Sequence, residues 1–328
     1  MTASSQEIPL IDLAPWYSGG EEARERTAIA VDRALQDVGF LLIANHAVDP
    51  GTLAGARAAA SRFFHLSRAE KSKVGCAEGE HHGWRGIGAE SHGATFGMET
   101  GTDLKESFSI TPLDSPADLR SLAPRWFAEN RFPAAVPELE ATWRRLYTAM
   151  DRLANELLRM LELSIGAQPG RLTALCGRPM SELTANWYPA YQSVRPAPGQ
   201  FRIGPHTDFG TITLLDRQHG TAGLQIQTTD GDWTDAPFVP GTLTVNVGDL
   251  LQHWSGNRWR STRHRVPAPS HAAPQEELLS VVYFHAPDYD AVIEQFGALD
   301  ARAPTMLAGE YLDAKSGQLM SKGVTTPP

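Results

Sequence analysis

The chain has 328 residues, enough for one large domain or two ordinary ones with a sizeable core. Hydrophobic residues make up 41% and charged residues 20%, ordinary globular usage that excludes wholesale disorder. Twenty-nine basic residues against 38 acidic ones give a net charge of −9 with no basic stripe, which argues against a nucleic-acid partner. No apolar run approaches the ~20 residues of a membrane span, so no membrane partner is expected.

Met1 to Leu10 lacks the basic and apolar regions of a secretory leader, and a cytoplasmic location is expected. Cys76 and Cys176 show no CxxC spacing, which argues against a disulfide framework or a thiolate zinc site. No protein partner is evident, and a monomer is the expectation.

In chain order, Ala28, Val31, Leu35 and Val38 recur at helical spacing over residues 21–38. Gly39 ends that helix, and Phe40 to Ile43 reads as a short buried strand. A second helix follows from Asp49-Pro50 to Phe64, with Pro in its first turn. The stretch from Gly75 to Gly101 is rich in Gly, His and Ser and reads as an irregular loop with short hairpins. Glu138 to Leu163 carries the longest helical pattern, through Leu139, Trp143, Leu146, Met150, Leu153, Leu157 and Met160.

Beyond Pro179 the segments become short and β-rich: 211–215, 223–227, 243–247 and 278–284, separated by turns such as Thr229-Asp-Gly-Asp. Helices followed by closely spaced strands predict an α+β layout with helices bracing one side of a β-sandwich. The expected division is an N-terminal helical and mixed region at 1–180, a core at 181–290 and a C-terminal helical tail at 291–328.

The chemistry concentrates in Gly204-Pro-His206-Thr-Asp208-Phe-Gly210. On a strand, residues two apart face the same side, so His206 and Asp208 point inward together. A second histidine, His264, follows after three predicted strands, enough for the chain to return to the same barrel mouth. Two imidazoles and a carboxylate on one face of an ion form the facial triad of non-haem Fe(II) oxygenases, which leaves coordination positions open.

In this order along nearly the whole chain, the sequence resembles the isopenicillin N synthase-like branch of the Fe(II)- and 2-oxoglutarate-dependent dioxygenases. The segments that carry the resemblance are Ile8 to Asp12, Gly39 to Val48, Lys105 to Ser109, Asn186 to Pro189, His206 to Gly210, Gly223 to Ile226, Asn246 to Gln252, Trp254-Ser, His264 to Val266 and Ser280 to His285. The resemblance implies a double-stranded β-helix, or jelly roll, braced by the N-terminal and long central helices. It implies His206, Asp208 and His264 as iron ligands, with the Tyr188 and Ser280 hydroxyls and Asn186 near a cosubstrate carboxylate. The implied reaction is hydroxylation, desaturation or ring closure of a small organic molecule with Fe(II), O2 and a 2-oxo acid.

One departure matters. The family carries Arg-x-Ser where this chain has Leu278-Leu279-Ser280, and that Arg forks onto the distal carboxylate of 2-oxoglutarate. A buried carboxylate without its charge partner costs on the order of 3–5 kcal/mol, or roughly two to three decades of affinity. Another base could reach the pocket: Arg202, Arg263 and Arg265 lie nearest the ligands in sequence, and Arg202 is preferred because it shares the parity of His206. Alternatively the cosubstrate is an apolar 2-oxo acid packed on Leu278, or the substrate itself ligates iron and supplies all the electrons. A non-catalytic metal-binding jelly roll and a zinc hydrolase using the same triad also stand as alternatives.

Phe108 and Phe201 are candidate pocket walls, and Trp187 is expected outside the pocket. His46 is read as structural and His285 as a strand end. His81, His82 and His92 are read first as a solvated loop and alternatively as a substrate lid. Asp249 is read as a turn residue.

Overall fold

The computed structural model describes residues 7–77, 79–295 and 305–320. Twelve strands form its two principal sheets. β1 (Leu10–Asp12), β2 (Phe40–Ala44), β3 (Gly83–Arg85), β4 (Glu106–Ile110), β5 (Glu182–Tyr188), β7 (Ile212–Arg217), β10 (Leu243–Val247) and β12 (Leu278–Phe284) make an eight-stranded sheet in the order β1-β2-β10-β7-β12-β5-β4-β3. β6 (Ile203–His206), β8 (Gln225–Gln227), β9 (Trp233–Asp235) and β11 (His264–Val266) make the smaller sheet, in the order β6-β11-β8-β9. Residues of both sheets line one interior cavity, giving the two faces of the expected jelly roll.

Alternation along the strands sets what faces inward. On β7, Ile212 and Leu214 join the core shared with the helices, while Thr213, Leu215 and Arg217 line the barrel interior. On β5, Leu183 and Ala185 face the core, and Glu182, Thr184, Asn186 and Tyr188 face the interior.

The helices brace the outer face. The Glu138–Ser164 helix buries Leu139, Trp143, Leu146, Met150, Leu153 and Leu157, one apolar stripe at three- and four-residue spacing. It packs against the Glu21–Asp37 and Pro50–Phe64 helices and against the sheet, where the Tyr283 hydroxyl donates to Asp151 at 2.9 Å. Asp49 caps the Pro50–Phe64 helix by accepting from the Thr52 amide at 2.7 Å. At Gly39 the chain turns from helix into β2 with φ of 76°, and a Cβ there would sit 2.2 Å from the Arg260 carbonyl oxygen. Only glycine meets both demands.

Four of the eight strands in the larger sheet precede residue 180, β2 among them where a strand was expected. Two readings of the sequence change. The chain between His206 and His264 forms four strands, not three, because the short polar segment Trp233–Asp235 pairs with β8. Asp249 opens the Asp249–Trp254 helix instead of sitting in a turn.

Of the expected C-terminal tail, Ala308–Met320 is helical, while residues 296–304 and 321–328 lie outside the described residues. No helix among the described residues is long and apolar enough to cross a membrane.

Candidate active site

Strand register assembles the centre. β6 and β11 run antiparallel with His206 directly opposite His264, and Asp208 lies two residues beyond the end of β6. One potential ligand atom from each of His206, Asp208 and His264 lies within 4.8 Å of the others. Asp208 Oδ1 is 3.7 Å from His206 Nε2 and 3.5 Å from His264 Nε2.

Backbone carbonyls orient the rings. His206 Nδ1 lies 2.8 Å from the Gly204 carbonyl oxygen, and His264 Nδ1 lies 3.1 Å from that of Thr262. A carbonyl only accepts, so each Nδ1 carries the proton, and in the neutral ring each Nε2 presents its lone pair to the centre. Asp208 Oδ2 accepts from the Thr213 hydroxyl and the Asn246 amide, both at 2.6 Å, which leaves Oδ1 for the centre.

Burial works against charge on His206, reinforced by His264 and His92, and lowers its pKa well below the usual range. Burial also opposes charge on His264, but Asp208 outweighs it and raises that pKa. Asp208 is buried too, yet His264 and His206 hold its carboxyl below the usual range. Two nitrogen lone pairs and a carboxylate oxygen converging without a protein donor between them are a donor set for a divalent cation.

Two cavities meet at this centre. Asn186, Ile203, His206, Asp208 and Phe284 line both. The smaller runs inside the barrel past Tyr188, Ser280, Leu278 and Arg217. The Tyr188 hydroxyl lies 3.3 Å from Ser280 Oγ, and burial pushes its pKa up to about 12, so it is a neutral hydrogen-bonding group.

The larger cavity opens on the other side and is walled by charged side chains. Glu90 lies 2.5 Å from Lys105 and 3.8 Å from Arg85, and Lys105 donates to Asn186 at 2.9 Å. His92 bonds Asp103 at 2.5 Å and sets its ring 4.6 Å from that of His206. His81 Nε2, Arg85 Nε and His285 Nε2 are buried along this wall without a hydrogen-bond partner among the described residues. The Ala308–Met320 helix closes one side with Leu312, Ser316, Leu319 and Met320.

The structure thus brings His206, Asp208, His264, Tyr188, Ser280, Asn186 and Leu278 to the site. Arg202 stays outside both cavities: it is fully buried, donates to the carbonyls of Ala222 and Glu276, and lies 3.7 Å from the Glu276 carboxylate. The reason is a β-bulge. Val266 pairs with Ile203 while His264 pairs with His206, so β6 spends one more residue than β11 and Ile203 takes the inward position.

Phe108 points into the helix layer, 4.7 Å from the Phe63 ring and 5.2 Å from Trp143. Phe201 lies beneath Arg265, outside both cavities. Trp187 is outside as expected, stacked on Phe64. His81, His82 and His92 are not a solvated loop: His81 and His82 are buried, and His81 and His92 line the larger cavity.

Sequence reasoning passed over Thr213, Asn246 and Arg217. The strand read as ending at Leu215 continues to Arg217, and its period-two alternation already puts Thr213, Leu215 and Arg217 on one face.

Residues 8–135 match the family described as "non-haem dioxygenase in morphine synthesis N-terminal", and residues 181–287 match the 2OG-Fe(II) oxygenase superfamily. Validamycin A dioxygenase of Streptomyces hygroscopicus subsp. limoneus is 38% identical over 318 residues, covering 96% of this chain and 87% of that protein. The chain belongs to the 2OG-Fe(II) oxygenase superfamily.

This oxygenase is also 31% identical to the proline hydroxylase buaE of Petromyces alliaceus, over 89% of this chain and 91% of that one. Among solved structures it is similar to a full-length Neurospora crassa protein in complex with alpha-KG and thymine, with a TM-score of 0.82, 26% identity and coverage of 95% and 97%. It is therefore an Fe(II)- and 2-oxoglutarate-dependent dioxygenase acting on a small molecule, and the hydrolase and non-catalytic alternatives give way.

Proposed function

We propose that His206, Asp208 and His264 hold the Fe(II), that Tyr188, Ser280 and Asn186 line the seat of the 2-oxoglutarate, and that the substrate occupies the larger cavity. The observation that carries this is the convergence of the three donor atoms within 4.8 Å where the two cavities join. When bound, iron supplies the oxidation: 2-oxoglutarate and O2 become succinate and CO2, and one oxygen atom is left for the substrate.

The protein's own residues prepare the ground for that chemistry. Gly204 and Thr262 fix the imidazole tautomers, and Thr213 and Asn246 fix the carboxylate. His92, packed on His206 and held by Asp103, limits how the substrate approaches.

The substrate in this reading is a small, multiply hydroxylated molecule. The orphaned nitrogens of His81, Arg85 and His285 call for hydrogen-bonding groups, and the charges around them are already paired. Validamycin A, named in one relative, is the first compound to test. The jelly-roll core at 181–290, flanked by regions at 1–180 and 291–328, belongs to this reading. So does a cytoplasmic location, supported by the free thiols Cys76 and Cys176. The reaction requires no nucleic-acid, membrane or protein partner.

The test is succinate release from 2-oxoglutarate with Fe(II) and O2 across a panel of validamycin A, simple polyols, amino acids and nucleobases. Substrate-dependent succinate with the hydroxylated compounds is expected. Turnover confined to the amino acids or nucleobases would overturn the substrate class.

A further inference from the structure

The smaller cavity is lined by the Tyr188 and Ser280 hydroxyls but lacks the family's arginine. Leu278 occupies that position and faces the interior beside Ser280. A positive charge stands on the neighbouring strand. β12 and β7 are antiparallel with Ser280 directly opposite Arg217, and Arg217 lines the same cavity as Leu278, Ser280 and Tyr188. Among the described residues lining this cavity, Arg217 is the one with a permanent positive charge, and Asp208 is the one carboxylate.

Those two charges belong to opposite ends. Thr213, which holds Asp208, and Arg217 are four residues apart on the same strand face, about 13 Å along β7. A chain molecule with a carboxylate at each end, one of them at the metal, matches that separation of functions.

Arg217 is also poised without a counter-ion. Its Nη2 donates to the carbonyls of Ala236 at 3.1 Å and Pro237 at 2.6 Å, and its Nε lies 3.4 Å from Thr244 Oγ1. Carbonyl and hydroxyl oxygens orient a guanidinium but do not neutralise it. No carboxylate among the described residues lies within ion-pair distance of it, whereas Arg202, Arg85 and Lys105 each face one. Nη1 makes no hydrogen bond among the described residues and lies toward Gly223, itself on the cavity wall.

We infer that Arg217 binds the distal carboxylate of 2-oxoglutarate, so that the clamp has moved from β12 to β7 across one strand pair. The inference rests on the iron-site reading above. It explains how Leu278 can be apolar while the cosubstrate keeps both carboxylates. Leu278 then packs beside the cosubstrate chain, with Gly220 beneath it: a Cβ at Gly220 would lie 2.6 Å from Leu278 Cδ2.

The test measures binding by calorimetry, without O2, on the full-length protein loaded with Mn(II) in place of Fe(II). Three proteins are compared: wild type, Arg217→Leu, and the exchange variant Arg217→Leu/Leu278→Arg. Two ligands are used, 2-oxoglutarate and 2-oxopentanoate, which lacks the distal carboxylate. Arg217→Leu should weaken 2-oxoglutarate by roughly 100- to 1,000-fold. Its affinity for 2-oxopentanoate and for Mn(II) should stay at the wild-type level, which shows that the fold and the metal site are intact.

The exchange variant should recover most of the lost affinity, since it returns the guanidinium to the family's strand. Wild-type affinity of Arg217→Leu for 2-oxoglutarate, with Mn(II) bound normally, overturns the inference and leaves the metal triad untouched. Equal weakening of both ligands overturns it as well, because that marks a general loss of the pocket. If Asp208→Ala binds Mn(II) as tightly as wild type, the triad reading fails instead, independently of Arg217.

Discussion

The two chambers that share His206 and Asp208 handle charge in opposite ways. Inside the barrel, an otherwise largely apolar lining holds one guanidinium, Arg217, with no carboxylate beside it, whereas across the centre Glu90, Lys105, Arg85, His92 and Glu182 all stand against partners. Arg217 is half-buried, and a charge with no carboxylate partner among the described residues attracts an ion of opposite sign, so the smaller chamber is set for an anion. Charges already paired offer hydrogen bonds and shape, so the larger chamber suits a neutral polar molecule. One barrel therefore separates a charge-selected cosubstrate from a hydrogen-bond-selected substrate by a distance of a few strand residues.

The sharpest way to break this contrast is to unpair the larger chamber. Lys105 and Arg85 keep Glu90 ionised well below the usual carboxylate range despite its burial. Glu90→Gln leaves both cations buried without their carboxylate, and chemical denaturation should show a loss of about 3–5 kcal/mol. An unchanged midpoint would mean that water, not Glu90, compensates those cations.

A smaller effect is expected from pH. Burial lowers the His285 pKa from 6.5 to about 4. The folded state therefore resists a proton that the unfolded chain takes up. Stability from this residue is whole above pH 6.5 and is lost as pH falls from 6.5 toward 4, by about 3 kcal/mol at most. Comparing wild type with His285→Gln across that range isolates the term, and parallel curves for the two proteins would contradict it.

On the barrel side, Asn246→Leu removes one of the two donors to Asp208 Oδ2. Metal affinity should fall by roughly 10- to 100-fold, as for other partners that orient a ligand. The smallest change concerns the wall of the larger chamber. The Tyr311 hydroxyl donates to Asp249 at 2.7 Å and ties the Ala308–Met320 helix to the start of the Asp249–Trp254 helix. Tyr311→Phe should cost about 1 kcal/mol, and hydrogen exchange should rise in the Ala308–Met320 helix while the barrel strands stay protected.

How much of this was legible depended on periodicity. The long helix announces itself through residues 139 to 160, and the spacing of two between His206 and Asp208 points both to one side, although β6 itself ends at His206. Arg202 shares that parity on paper. The bulge between β6 and β11 breaks it, and a bulge is set by the partner strand, which the local sequence does not contain.

Arg217 was within reach of the same rule, had the strand been followed two residues past Leu215. The burial of His81 and His92 was not. An aperiodic loop gives no sign of the elements that cover it, and here Trp126 stacks on His81 at 3.8 Å while His206 packs against His92. Asp249 misled through its Gly-Asp turn chemistry, which serves equally to start a helix.

Anaerobic titration of Fe(II) into the wild-type protein and His264→Ala, read as bound metal per chain, addresses the convergence of the three donors most directly. One equivalent bound by the wild type and almost none by His264→Ala at the same free Fe(II) is the predicted result. Equal occupancy in the two proteins would show that residue 264 does not belong to the metal site, and the assignment of both chambers would fall with it.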